Sequence, residues 1–438
     1  MKKSFLLIAA LFFGGAAWAQ DIDNPADNAF LDNGFVRIGE YRSNSRNNVG
    51  AAAFLFPSGE KLVTGLHSSI PADTFLGGLR SVNSMYGQIN YNLVSYGWKG
   101  SYGFHTVELG AKANYGLSVP KEIFTILKKG TAQTPYDLSN LRAFRNAYAE
   151  IAYGYSLPIG DNFSLGTRVK LLAGLHSVEI VPRRFELTTT VDQYKLALDA
   201  DLDLTNRSKK IGTDEYNYLD FSSFSGKGKL GVPTGAGLAV DFGLVWKPFR
   251  GFTLSAAVQD LGGILWYYGN AGASNGEYVF DGLHGLTTEE LSQDKIMSRV
   301  KELGNEALKV IKPQAVDGRC KFKAVPLTAN AKASYAMPFW ENLSIDASGL
   351  YTGYKYCAPY WEARGGLSLD FPGAAHLGLS AGSGAYGFVY GVNGSVEFLS
   401  FRLYAAYENG IGGVIPYEGT PLKANNKTIL IGLAYLLR

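Results

Sequence analysis

The chain has 438 residues, with 53 Gly, 27 Tyr and 25 Phe, and 41 basic against 38 acidic residues for a net charge of +3. Low charge and many aromatics exclude a disordered chain, balanced charge excludes a nucleic-acid binder working by bulk charge, and two cysteines exclude a disulfide-dense scaffold or a four-Cys zinc site. A mean hydropathy of -0.02 excludes a polytopic helical membrane protein. It leaves open a membrane β-barrel, whose apolar and polar faces alternate and cancel.

The chain opens on an export signal. Lys2 and Lys3 precede an apolar core from Ser4 to Ala17, and Ala17-Trp18-Ala19 forms an A-x-A cleavage site, predicting residues 1–19 as a signal peptide cut near Ala19-Gln20. The core is too short for the ~20 residues a membrane anchor needs. Residues 20–60 are expected to form a periplasmic arm or a plug inside a barrel.

From there period-two alternation recurs. In 107–115, Val107, Leu109, Ala111 and Tyr115 oppose Glu108, Gly110 and Lys112, and in 163–175, Phe163, Leu165, Val169 and Leu171 oppose Ser164, Arg168 and Lys170. The same pattern holds in 147–157, 236–247 and 361–371. Such runs reach the ~9–11 residues that cross a bilayer as a tilted strand. Turns repeat as well. Leu157-Pro158-Ile159-Gly160, Lys247-Pro248-Phe249-Arg250-Gly251 and Met337-Pro338-Phe339-Trp340 each put proline at a tight turn before an apolar strand start. Neighbouring aromatics (Phe163, Trp246, Phe249, Phe252, Phe339, Trp340, Phe371, Phe401) would make an interfacial girdle. Strands are expected near 61–67, 85–98, 101–115, 144–157, 162–178, 236–247, 251–266, 321–336, 343–356, 361–371, 374–384, 386–398, 400–409 and 426–438. The last alternates through Ile429, Ile431, Leu433, Tyr435 and Leu437, as a barrel's closing strand would, but ends on Arg438 rather than an aromatic.

The long connections, about 116–143, 179–235, 267–320 and 410–425, would lie outside the cell. One carries a helix, with Thr287 and Glu290 as a capping box, an apolar stripe through Ile296, Val300, Leu303, Ala307 and Val310, and Pro313 as its stop. A shorter one is predicted from Pro120 to Lys129, stopped by Gly130. Cys320 and Cys357 are centred on the Met337–Asn342 turn, predicting a disulfide across the open end of that hairpin.

The fold expected is all-β: a closed antiparallel transmembrane β-barrel of about fourteen strands, residues 61–438, with short periplasmic turns and long extracellular loops. The segment Gly235–Trp266 resembles the strand–turn–strand of FadL-type long-chain fatty-acid transporters and PorV-like barrels. Tyr148–Gly174 and the Asn24-Pro25-Ala26 start look like an uncharacterised Bacteroidota family of outer-membrane barrels. That family has no established activity, so the resemblance carries over no catalytic residue.

Candidate sites follow from side-chain chemistry. The inward faces gather Glu108, Glu150, Asp241, Asp346, Glu362, Asp370 and Glu408 against Lys112, Arg168, Lys170, Lys332, Arg364 and Arg402. Near-equal counts favour a lumen crossed by salt bridges over a pore selective for one sign. Gly378-Leu379-Ser380-Ala381-Gly382 matches a nucleophile elbow with His376 close in sequence, but it alternates like a strand interior, not the strand-to-helix turn an esterase needs. The glycine patterns at 226–231 and 382–387 lack a strand-to-helix context for a dinucleotide. Asp199, Asp201 and Asp203 share one strand face, which reads as a solvated loop strand more readily than as a Ca²⁺ site needing 6–8 oxygens. No cofactor or metal is expected. The function expected is passage of a hydrophobic or small amphipathic molecule through an outer-membrane barrel, with outer-membrane lipid as surroundings. The alternative is a structural or partner barrel in envelope assembly or surface-protein secretion.

Overall fold

The computed structural model describes residues 24–437 except 51–52, 59–60, 206–211, 221–232, 268–269, 282–292, 317–319, 355–356 and 411–426. The signal peptide, the Thr287–Glu290 capping box and the glycine pattern at 226–231 lie outside the described residues.

Fourteen antiparallel strands close a barrel: β1 (Phe35–Asn47), β2 (Val82–Lys99), β3 (Phe104–Pro120), β4 (Arg142–Ile159), β5 (Phe163–Thr189), β6 (Gly235–Trp246), β7 (Phe252–Trp266), β8 (Leu327–Met337), β9 (Trp340–Tyr354), β10 (Cys357–Phe371), β11 (Ala375–Gly384), β12 (Gly387–Phe398), β13 (Phe401–Gly410) and β14 (Lys427–Leu436). Closure is made by β1, which pairs with β14 on one side (Phe35 opposite Leu436) and β2 on the other (Phe35 opposite Gly97). The number of strands is as expected, but the first differs. Residues 61–64 form only a small hairpin with Leu55–Ser58, and the wall begins in the segment read as an arm.

Outward residues are apolar and open all round the wall, among them Leu171, Leu238, Phe242, Leu379 and Ile431. A soluble fold rarely exposes a continuous apolar surface beyond a few hundred Å², so the wall faces hydrocarbon. Among the described residues no helix is long and apolar enough to cross a membrane. The proline-started turns sit at one end, where Gly160, Gly251 and Gly373 adopt positive φ (64°, 82° and 72°) that a β-branched residue would resist. Girdle aromatics cluster there: Phe249 and Phe252 stack at 5.0 Å, and Trp246, Phe339, Trp340, Phe371 and Phe401 are exposed.

At the other end the chain rises beyond the barrel. β5 continues to Thr189, past the expected end at 178, because Val178–Thr189 pair with Tyr194–Leu204 in a hairpin. Asn270–Phe280 adds a further strand to that hairpin. A helix, α3 (Gln293–Ile311), packs on it, with the Ser274 hydroxyl donating to the Ile311 carbonyl at 3.0 Å. The mouth carries α1 (Ala72–Gly77) and α2 (Lys121–Lys129), the latter stopped by Gly130 at φ 81°. Phe75, Leu76, Ile70 and Leu79 form a core there with Phe54, Phe56 and Phe124 against it.

Two expectations are corrected. The strand 321–336 is broken: Lys321–Ala324 and Leu327–Met337 both pair with β7, with Val325 and Pro326 between them. Pro326 has no N–H to give the ladder. The Cys320–Cys357 bridge is absent, and Cys320 carries a free, exposed thiol. The β8–β9 register pairs Leu327 with Gly353, and β9 has already turned back into β10 where Tyr354 opposes Cys357. Cys357 therefore belongs to the next hairpin rather than facing Cys320.

Candidate functional site

The lumen is plugged at the tight-turn end by the chain's own start. Residues Asp27–Phe30 form a 3-10 turn whose approach, Asn24 to Ala26, is buried against the inner wall. The Asn24 side-chain amide donates to the carbonyls of Leu244 (3.1 Å) and Ala256 (3.3 Å), and its oxygen accepts from Ala26 N–H at 2.9 Å. Ser164 donates to the Ala26 carbonyl at 2.9 Å, and Ser156 donates to that of Pro25. Gly166 and Gly243 leave the space this backbone fills, for a Cβ on either would overlap Pro25–Ala26 or Asn24. Lys247 caps the plug from outside, its ammonium 3.6 Å from the Phe30 ring centre.

Beyond the plug, alternation along β3, β4, β5 and β6 turns one charged face inward, and seven side chains form one chain of alternating sign. Glu108 meets Arg168 (3.1 Å), Arg168 meets Asp241 (3.3 Å), and Asp241 meets Lys170 (2.7 Å). Lys170 meets Asp260 (2.7 Å), Asp260 meets Lys112 (2.9 Å), and Lys112 meets Glu150 (3.3 Å). Four carboxylates against three cations leave one negative charge. A polar cavity of about 70 Å³ adjoins it, with Glu40, Asn90, Asn92 and Gln259 in its lining. That is room for a few water molecules, since one needs ~10–15 Å³.

The second group crosses the other side of the lumen. Glu362 on β10 meets Arg364 at 3.0 Å, Arg364 meets Glu408 on β13 at 3.1 Å, and Arg46 on β1 approaches Glu362 at 3.9 Å. The Arg46 guanidinium also lies 3.9 Å over the Tyr360 ring, whose hydroxyl donates to Glu362. Gly391 makes room for this, because a Cβ there would sit 2.9 Å from both Arg364 Nη1 and Ser380 Oγ. Cα atoms of β10 come within 8 Å of those of β2 and β3 across the lumen, so the barrel is pinched between the two groups.

Other charges named from sequence stand apart. Asp346 is buried with Lys332 at 3.8 Å and the Ser368 hydroxyl donating at 2.7 Å. Arg402 on β13 lies near the tight-turn end, paired with Glu397 on the preceding strand, β12. Asp370 pairs with His376, also near that end. Ser380, four residues and ~13 Å along the strand from His376, meets Arg364 at 3.5 Å instead, so serine and histidine do not form a catalytic pair. Gly382–Gly387 runs from β11 into the hairpin to β12, with no helix following. Asp199 and Asp201 meet Arg183, and Asp203 meets Lys321, so cations take these carboxylates. Among the described residues no group of three or more His, Cys, Asp or Glu could hold a metal.

Sequence reasoning missed Asp260, Arg46, Glu40, Tyr360 and the seat of Asn24. Asp260 faces inward because β7 bulges there, with a register shift opposite Val240–Phe242 and φ of 61°. The only sequence signal is the Gly262-Gly263 pair just beyond it. Glu40 and Arg46 were readable, for Glu40, Arg42, Asn44 and Arg46 alternate on one face of β1.

The chain belongs to the Family of unknown function (DUF5723), which matches residues 32–406. No curated protein matches it in sequence. Among solved structures it is similar to a Pseudomonas aeruginosa FadL homologue (13% identity, 97% of this chain and 94% of that one, TM-score 0.41). It is also similar to the Pseudomonas putida toluene transporter TodX (10%, 97% and 95%, 0.43). A third is the translocator domain of the autotransporter NalP from Neisseria meningitidis (10%, 93% and 91%, 0.36).

Proposed function

We propose that this protein is an outer-membrane barrel that passes a hydrophobic or small amphipathic molecule, exported by a signal peptide cleaved near Ala19-Gln20. The observation that carries the reading is the plugged and bridged lumen. The Asn24 seat closes the tight-turn end, and a seven-membered ion chain fills one side beyond it. A general water pore would need that space open, whereas a carrier of single apolar molecules needs a closed barrier to water and ions that yields locally. In this orientation the tight turns face the periplasm and the mouth with α1 and α2 faces outward.

The test is flux in vesicles. Full-length protein reconstituted in phospholipid vesicles is expected to speed entry of a medium-chain fatty acid or a monoaromatic hydrocarbon while leaving the vesicles tight to glucose. Entry no faster than in empty vesicles, by both the full chain and a variant lacking residues 20–33, would sink the transport reading.

A second reading is a partner barrel serving envelope assembly or surface-protein secretion. The observation behind it is the sheet beyond the mouth, where Val191, Tyr216, Met297 and Leu308 are exposed although they lie off the barrel wall. Cross-linking in intact cells that joins this sheet to an envelope protein, with no flux in vesicles, would favour it.

A further inference from the structure

The barrel wall is concave where β6 to β10 face the membrane. A hollow of about 800 Å³ crosses the outer side of this wall, and a second of about 740 Å³ continues it over β8, β9 and β10. That the first opens outward follows from the plug, and Ala331, Gly349 and Ala363 of the second share the outward face of Leu244 by register. The inner sides of Gly166 and Gly243 are filled by Pro25 and Asn24, so the space beside these residues lies on the opposite face. Five large side chains of its lining (Leu157, Leu165, Phe242, Leu244, Tyr351) are exposed outward residues.

The cause is visible in the sequence of three neighbouring strands. Ala331 on β8, Ala347 and Gly349 on β9, and Ala363 and Gly365 on β10 occupy outward positions that carry Leu, Ile, Phe or Tyr elsewhere. β10 also comes closest to the opposite wall, approaching β2 and β3 through the lumen. Small outward residues and an inward bend together make a groove. A Cβ on Gly349 or Gly365 would meet only a carbonyl oxygen at 3.9 Å, so these glycines leave open volume rather than serve a tight contact.

We propose that this groove is a binding site for the acyl chain of a bilayer phospholipid. The groove is continuous with the lipid-facing belt, so hydrocarbon is the medium at its edge. Each of its two hollows falls within the ~300–1,000 Å³ of sites that hold one small ligand. On a convex wall a lipid chain touches protein on one side. In a hollow it touches more protein than that, and each added carbon contact contributes dispersion. The site holds its chain whether or not the barrel transports anything.

The experiment is photolabelling of full-length protein in vesicles of palmitoyl-oleoyl phosphatidylethanolamine carrying a diazirine on the palmitoyl chain. Adducts are expected several-fold denser on 242–258 and 329–351 than on 403–407 of the opposite wall. Filling the groove with Gly349→Leu and Gly365→Leu should bring the label down to the level of that wall, while Ala405→Leu should leave the groove label unchanged. Equal density on the two walls of the unaltered protein overturns the proposal without recourse to any variant. Protein–protein cross-links through the groove, marking a second copy there, also overturn it.

Discussion

The Lys112 ammonium on β3 lies 2.9 Å from the Asp260 carboxylate on β7, four strands away around the wall, so the two join opposite parts of one lumenal chamber. Asp260 also takes Lys170 at 2.7 Å, and its own N–H donates to Asp241 at 2.8 Å. The Asp260 carboxylate thus holds two buried cations, and the Asp241 carboxylate fixes the bulge that presents it.

Asp260→Ala should be among the most damaging lumenal substitutions. Removing one partner of a buried pair typically costs about 3–5 kcal/mol, because the remaining charges stay buried. The denaturant midpoint of the barrel in detergent micelles should fall accordingly. Adding Lys112→Met to Asp260→Ala should recover part of that loss, and a double variant no more stable than Asp260→Ala would contradict the pairing.

Gly391→Ala should disturb the second group. Its Cβ would stand 2.9 Å from Arg364 Nη1 and 3.2 Å from Glu408 Cγ, forcing the guanidinium from its seat. Overpacking of this kind costs about 1–3 kcal/mol. Gly349→Ala, with open space before it, should be near neutral in the same unfolding measurement.

Gly243→Ala should dislodge the plug without breaking the barrel. The new methyl overlaps the Asn24 side chain, while β6 keeps its ladder with β5 and β7. In a protein with Cys320→Ser and Cys357→Ser, Asn28→Cys at this buried plug position should become reactive to a membrane-impermeant maleimide only when Gly243→Ala is added. Equal labelling with and without that change would show that the seat does not hold the plug.

The sheet beyond the mouth should resist mild acid. Hydrogen bonding to Arg183, 3.0 Å away, holds the Asp199 carboxyl below its usual value. A group depressed in the folded state stabilises above its unfolded value, near ~3.9, and that contribution is lost as pH falls through the lower folded value. The hairpin should therefore keep its structure from neutral pH to about pH 4. A carbon NMR titration of Asp199 should give a midpoint below the ordinary one, restored to ordinary by Arg183→Ala.

Much of the barrel was legible because strand alternation is local. Glu108 and Lys112, or Arg168 and Lys170, sit two or four residues apart, and pleat geometry alone sends them to one face. The first strand was not legible in the same way. Phe35–Asn47 has a polar inward face and only moderate apolarity outward, so by itself it resembles an arm, and only pairing with β14 and β2 makes it wall. The cysteines failed for a related reason, since their separation assumed one uninterrupted hairpin and register is decided by partners.

The sequence by itself determined a barrel wall with a charged inner face, tight turns at one end and long excursions at the other. These follow from each residue's side of the pleat and from turn chemistry. Which charges meet was decided only by tertiary structure. Lys112 to Asp260 and Arg46 to Glu362 are contacts between strands far apart around the ring. The pinch, the bulge at Asp260 and the groove outside are likewise set by how the sheet closes. Closure brings distant residues together through space, and period-two alternation carries no record of it.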